Sequence, residues 1–399
     1  MQVGRKPQSA RAHRKVGTTK EVEAKDGKMA KSYNNLWQRM IDPDNIEAAI
    51  YSAARGKGRK REVQRALANV PATVSRIKGM LERDEWRPPE VREGRLYADG
   101  IARKERLLVK PDFDEQIVHH LLIDEIIQPI FQPGFFEWSC GSIPGRGQEA
   151  MCAHIMRKIK RGGSSVKYGV VLDIRKCFQT IDTAAIERAV GRKIRDKRVM
   201  RLVRMVLDAN KIQLPDGTIQ EGGVPIGLFT SPWFVNIALT ETDHAVKDVV
   251  YLYVRYIDDM LLMHGSRRAL RKVVGMIESK VKAMGMGFKR PGTIFIFGKK
   301  GIRKIRFTGC HFTRERMCVR DRVFIRARRT GAMIRRKIRN QVRVAAYDAE
   351  RLISYGGRFR SFGSYAAFPK DVLRGINFAL MRRKVSMRDR KRSKERNVV

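Results

Sequence analysis

The chain has 399 residues, more than one average domain and enough to bury a large core. Its 84 Lys and Arg stand against 41 Asp and Glu, a formal charge of +43 that repels itself unless a polyanion neutralises it; nucleic acid fits that requirement better than an anionic membrane does. No run of about 18 apolar residues and no signal-like segment in the polar N-terminal stretch is found, which argues against a membrane protein and for a soluble, cytoplasmic one.

Residues 1–32 are basic, hold several Gly, Ser and Thr, and contain little that could form a core. They are expected to be a disordered tail that orders on RNA. From Tyr33 to about Leu81, helical patterns such as Asn45-Ile46-Glu47-Ala48-Ala49-Ile50 alternate with the basic loop Arg55–Arg61. Within that loop Gly56-Lys57-Gly58 reads as a phosphate-contacting turn, since no Walker-type loop surrounds it. A β-rich patch over Gly94–Lys110 carries Lys104 and Arg106. Pro111-Asp112-Phe113-Asp114 starts an amphipathic helix with Ile117, Leu121, Leu122 and Ile126 on one side.

Tyr168-Gly169-Val170-Val171-Leu172-Asp173-Ile174 reads as a short apolar strand ending on a carboxylate. Ser231-Pro232 is a strong helix start, with Phe234, Ile237 and Ala238 at the spacing of a buried face. Next come two apolar runs, Val249–Arg255 and Met260–Met263, joined through Tyr256-Ile257-Asp258-Asp259. Two carboxylates on so tight a turn repel each other, and a cation beside them relieves the repulsion. If the Asp173 strand lies beside this hairpin, Asp173 and Asp258 converge. Hard oxygen ligands on rigid strands suit Mg²⁺, which keeps some waters and completes its shell from substrate phosphates.

Gly301–Phe312 reads as a further hairpin. Beyond Arg320 the residues Ile334, Ile338 and Val342 recur every four, predicting a helix with a narrow apolar stripe between arginines, suited to the minor groove of an A-form-like duplex. The end of the chain, 381–399, is a second basic tail. The cysteines Cys140, Cys152, Cys177, Cys310 and Cys318 are odd in number and scattered, which suits free thiols in a reducing compartment. The histidines form no ligand spacing, so no zinc site is expected.

Taken in order, the Asp173 strand with Phe178 five residues on, Gly222-Gly223-Val224-Pro225-Ile226-Gly227, the Tyr256–Asp259 turn and Phe307-Thr308-Gly309-Cys310 resemble the palm motifs of reverse transcriptases. Lys104-Glu105-Arg106 and Ser142-Ile143-Pro144-Gly145-Arg146-Gly147 resemble the fingers motifs of bacterial members, and Ser354–Arg360 a thumb segment. The likeness runs from about Tyr33 to Phe368. It implies an α+β right-hand polymerase: fingers at 33–163, a palm with an antiparallel sheet at 164–314 and a helical thumb at 315–380.

The resemblance implies RNA-directed DNA synthesis by two-metal nucleotidyl transfer. Asp173 and Asp258 would ligate two Mg²⁺ (Mn²⁺ as substitute) with the Ile174 carbonyl, and Asp259 would support them. Lys104 and Arg106 would hold the dNTP triphosphate and Phe178 would exclude a 2′-OH. Ile226 and Gly227 would line the nucleotide, and Tyr256 would lie under the primer end. Arg335, Arg336 and Arg339 would follow the template–primer duplex. Ile226 stands where many reverse transcriptases have Gln, a likeness to the error-prone enzymes of diversity-generating retroelements, although Leu228 and Pro232 depart from their usual Asn and Gln. The expected partners are template RNA, primer or cDNA, dNTPs, a structured non-coding RNA and a small basic accessory protein, in a bacterial or phage-infected cell. A phage-defence or otherwise domesticated enzyme is the alternative. A non-catalytic RNA-binding scaffold is the alternative of another class.

Overall fold

The computed structural model describes residues 19–22, 30–99, 104–298, 301–361, 368, 371 and 372. The expected C-terminal tail and most of the N-terminal one lie outside them. Within the latter, Thr19–Val22 and Ala30–Tyr33 pair as antiparallel strands. The chain divides into two compact units.

The first unit comprises the described parts of Met1–Phe135, Arg175–Glu241 and Val281–Gly287. Its helix Pro43–Ala54 starts where Asp42 accepts from the N–H groups of Asp44 and Asn45, with Pro43 at the first helical position. It buries Ile46, Ala49 and Ile50 and packs on helices Val70–Glu82 and Phe113–Leu121. Asp112 caps the latter helix, and the predicted face of Ile117, Leu121, Leu122 and Ile126 is fully buried. From Leu122 to Ile127 the helix widens to π geometry, which periodicity did not anticipate.

The predicted β-rich patch is the antiparallel pair Val91–Asp99 and Lys104–Val109. It extends through Lys211–Gln213, parallel to the first of these, to Ile219–Gln220. An ion pair ties this sheet to the helices: Arg92 Nη2 lies 2.6 Å from Glu115 Oε1, both almost fully buried, and His119 Nε2 lies 3.3 Å from the same oxygen. Burial alone would push the Glu115 carboxyl up, but His119 and Arg92 outweigh it and hold it at about 2.

The second unit comprises the described parts of Phe136–Ile174, Thr242–Lys280 and Phe288–Val399. Its main sheet runs Phe295–Ile296, Tyr168–Asp173, Asp259–His264, Leu252–Tyr256, Ser139–Cys140. All neighbours are antiparallel except the last pair. The central strand is covered on both faces, with Met260, Leu261, Leu262 and Met263 inaccessible, hence its unbroken apolar run. The hairpin's first strand starts at Leu252; Val249, expected to belong to it, is exposed ahead of it.

The second predicted hairpin is present as Ile305–Phe307 and Cys310–Phe312, joined by a third strand, Met317–Val319. Phe307 and Phe312 share one hydrophobic core with Leu261, Met263, Ala327, Ile334, Leu352 and Phe359. The basic helix spans Asp321–Arg339 and buries Val323, Ala327, Thr330, Gly331 and Ile334. The expected stripe is therefore corrected: Ile338 is exposed and Val342 lies beyond the helix. An apolar residue among arginines marks a buried face only where a partner covers it. Among the described residues, no helix is long and apolar enough to cross a membrane, and all five cysteines are free thiols.

Candidate active site

The second unit brings the three acidic residues together. The antiparallel register sets Asp259 directly opposite Asp173, and Asp258 precedes it in a two-residue turn between Tyr256 and Asp259. The backbone locks the same corner, because Ile174 N–H donates to the Asp258 carbonyl at 3.2 Å. Burial, followed by repulsion from Asp258 and Asp173, pushes the Asp259 carboxyl up to about 7, while Arg320 and Lys289 pull it down. Lys289 lies beside Asp173: its Nζ is 3.6 Å from Oδ2, and its N–H donates to the Asp173 carbonyl at 2.9 Å.

Such a cluster fits a divalent cation. The donors are hard oxygens, and the Asp259 carboxyl is raised first by burial and then by its two acidic neighbours. Among the described residues no group of three or more His, Cys, Asp or Glu side chains is arranged to hold a metal ion by itself.

The turn itself is strained. Ile257 has φ +57°, an uncommon conformation that is costly for a β-branched residue. Neighbouring groups hold it: Ile257 N–H donates to the Cys140 carbonyl at 3.1 Å, and Arg255 Nη1 donates to the Ile257 carbonyl at 3.0 Å. Tyr256, the expected primer support, is half-buried beside Gly141.

The residues expected to bind nucleotide belong to the first unit, where backbone bonds link their three segments. Val109 N–H, at the end of the strand carrying Arg106, donates to the Ile226 carbonyl at 2.8 Å, and Val224 N–H donates to the Phe178 carbonyl at 2.6 Å. Glycine is required for both approaches. A Cβ at Gly227 (φ +119°) would strike the Val109 carbonyl, and one at Gly223 (φ +65°) the Phe178 carbonyl. Phe178 and Ile226 are half-buried, while Gly227 and Arg106 are exposed. Lys104 begins the strand; its side chain lies outside the described ones.

Ser231 Oγ donates to the Pro225 carbonyl at 2.6 Å, so the helix start predicted there also braces the glycine loop. Phe234, Ile237 and Ala238 are buried, as their spacing predicts.

Arg335, Arg336 and Arg339 lie exposed on the helix Asp321–Arg339, with Arg335 Nη1 2.7 Å from Asp371 Oδ2. Sequence reasoning did not single out Lys289, Arg255 or Gln148. Gln148 Nε2 donates to the carbonyl of Thr308, at the positive-φ turn of the second hairpin. Only Arg255 left a signal, as the lone charge ending an apolar run.

Residues 99–312, more than half of the chain, match the family described as "Reverse transcriptase (RNA-dependent DNA polymerase)". The group II intron-encoded protein LtrA of Lactococcus lactis subsp. cremoris is 28% identical over 218 residues, covering 54% of this chain and 35% of that protein. Protein YkfC of Escherichia coli (strain K12) is 28% identical over 168 residues, 41% of each. The chain thus spans well under two thirds of these curated relatives. Apo telomerase from Candida tropicalis aligns at a TM-score of 0.46 and 11% identity, covering 73% of this chain and 56% of that one.

Proposed function

We propose that this chain, which belongs to the reverse transcriptase family and to its α+β right-hand polymerase fold class, synthesises DNA on an RNA template. The observation that carries the reading is the register that sets Asp173 opposite Asp259, with Asp258 bonded through its backbone to Ile174. Asp173 and Asp258, with the Ile174 carbonyl, would hold two Mg²⁺, and Asp259 would add negative charge behind them. Bound divalent ions supply the Lewis acidity that activates a primer 3′-hydroxyl and stabilises the leaving pyrophosphate.

The protein's own contribution is positioning and electrostatics. Arg106, with Lys104, would grip the triphosphate through donors suited to phosphate oxygens. Phe178 would fill the space of a ribose 2′-OH, Gly227 would let backbone approach the nucleotide, and Tyr256 would seat the primer end. Residues 33–163, 164–314 and 315–380 serve as fingers, palm and thumb in this reading. Arg335, Arg336 and Arg339 lie along the template–primer duplex.

Intron-encoded relatives support a retroelement origin. The aliphatic Ile226 supports lowered nucleotide selection of the diversity-generating kind, because it packs where Gln would hydrogen-bond. Template RNA, primer, dNTPs, a structured non-coding RNA and a small basic protein are the partners of that reading. The test is primer extension by purified protein with Mg²⁺, primed RNA and dNTPs. Tight RNA binding without extension would favour the scaffold alternative, and activity without raised error would favour a domesticated or defence enzyme.

A further inference from the structure

Beneath the strained turn lies an ion pair removed from solvent. Arg255 is 0% exposed and the Asp243 side chain 1%. Arg255 Nε donates to Asp243 Oδ1 at 2.8 Å and Nη2 to Oδ2 at 2.6 Å, a fork-on-carboxylate geometry. The same carboxylate accepts from Tyr253 Oη and Ser139 Oγ, each at 2.6 Å. One acid on the helix Ser231–Val246 thus gathers donors from two neighbouring strands, and Nη1 of the arginine reaches on to the Ile257 carbonyl.

Such a pair is an inefficient source of stability, since desolvating two charges offsets most of their attraction and an apolar pair often does as well. Its distinctive product is geometry. A β-branched residue at positive φ persists only where its surroundings over-determine it. Of the bonds that hold this turn, Ile174 to Asp258 and Ile257 to Cys140 are backbone-to-backbone. To these the guanidinium bond to the Ile257 carbonyl adds a charged side chain.

We propose that Arg255, oriented by Asp243, is a positioning residue for Asp258. It holds the turn so that the Asp258 carboxylate meets its ion and Asp173 without reorganisation. The inference rests on the polymerase reading and deepens it.

The test compares full-length wild type, Arg255→Lys and the double variant Arg255→Met/Asp243→Asn in primer extension across a Mg²⁺ titration, with Tm, RNA binding and dNTP KM measured beside it. The double variant removes both charges, while Asn still accepts from Tyr253 and donates to Ser139. It is expected to fold with unchanged RNA binding and dNTP KM, with kcat lowered at least tenfold and half-maximal Mg²⁺ raised several-fold. Arg255→Lys keeps a charge without the fork and is expected to shift kcat and Mg²⁺ demand the same way, by less. Wild-type kcat and Mg²⁺ demand in either folded variant would overturn the inference and leave the pair a purely structural one. A wild type that extends no primer at any Mg²⁺ concentration would overturn the polymerase reading itself.

Discussion

Asp173 and Asp259 are direct partners across an antiparallel ladder, and the Asp259 carboxyl rises to about 7 in response to burial and its acidic neighbours. A site that keeps like charges this close stores repulsion in the ion-free protein.

Replacing Asp259 should therefore separate stability from activity. Its folded pKa of about 7 exceeds its ordinary 3.8, so its contribution to stability is fully present below 3.8 and lost as pH rises through about 7. Above that pH, metal-free Asp259→Asn should melt about 1–2 °C higher than wild type, a gain of about 1 kcal/mol, and the difference should vanish in acid. Primer extension by the same variant should fall ~100-fold or more. Melting curves across pH, paired with extension rates, check both signs.

Added Mg²⁺ should raise the Tm of wild type above pH 7 by binding the folded chain alone. Asp173→Asn and Asp258→Asn should show much smaller rises in a calorimetric scan.

Gly227 and Gly217 offer a matched pair, both at positive φ, +119° and +85°. A Cβ at Gly227 meets the Val109 carbonyl, whereas one at Gly217 meets open space. Gly217→Ala should cost about 1 kcal/mol by denaturant melts, from backbone strain alone. Gly227→Ala should cost roughly 2–4 kcal/mol and raise the dNTP KM, because the strand carrying Arg106 must shift.

Nucleotide choice is tested at two half-buried side chains. Phe178→Ala should narrow the preference for dNTP over NTP by ~10–100-fold in kcat/KM. Ile226→Gln should lower misincorporation opposite template adenine several-fold on a defined RNA. Equal error rates would remove the low-fidelity proposal.

The basic helix should reveal itself in salt. Arg336→Ala and Arg339→Ala should each lower the slope of log K against log salt by ~0.7–0.9. Arg335→Ala should lower it less, since Asp371 already neutralises that guanidinium in part.

Much of the acidic corner was legible because carboxylates at the ends of apolar runs are chemically out of place, and an alternating or continuous apolar run reports a strand directly. Asp173, Asp258 and Asp259 were found that way. The bond from Arg255 to Asp243 was not, because Asp243 looks like any polar position on a helix and its burial is decided by strands it packs against. The stripe expected through Ile338 and Val342 misled for the converse reason: spacing reports which residues share a face, and only tertiary packing decides whether that face is covered. The π turn at Leu122–Ile127 has no sequence signal at all, since every residue in it also suits an α-helix.

The most direct measurement is single-nucleotide extension of a primed RNA by wild type, Asp173→Asn and Asp258→Asn at saturating Mg²⁺, with RNA affinity measured on the same preparations. Wild type should extend, and each variant should lose ~100-fold or more in rate while binding RNA at least as tightly. Variants that extend as fast as wild type would contradict the assignment of these two carboxylates to the chemistry.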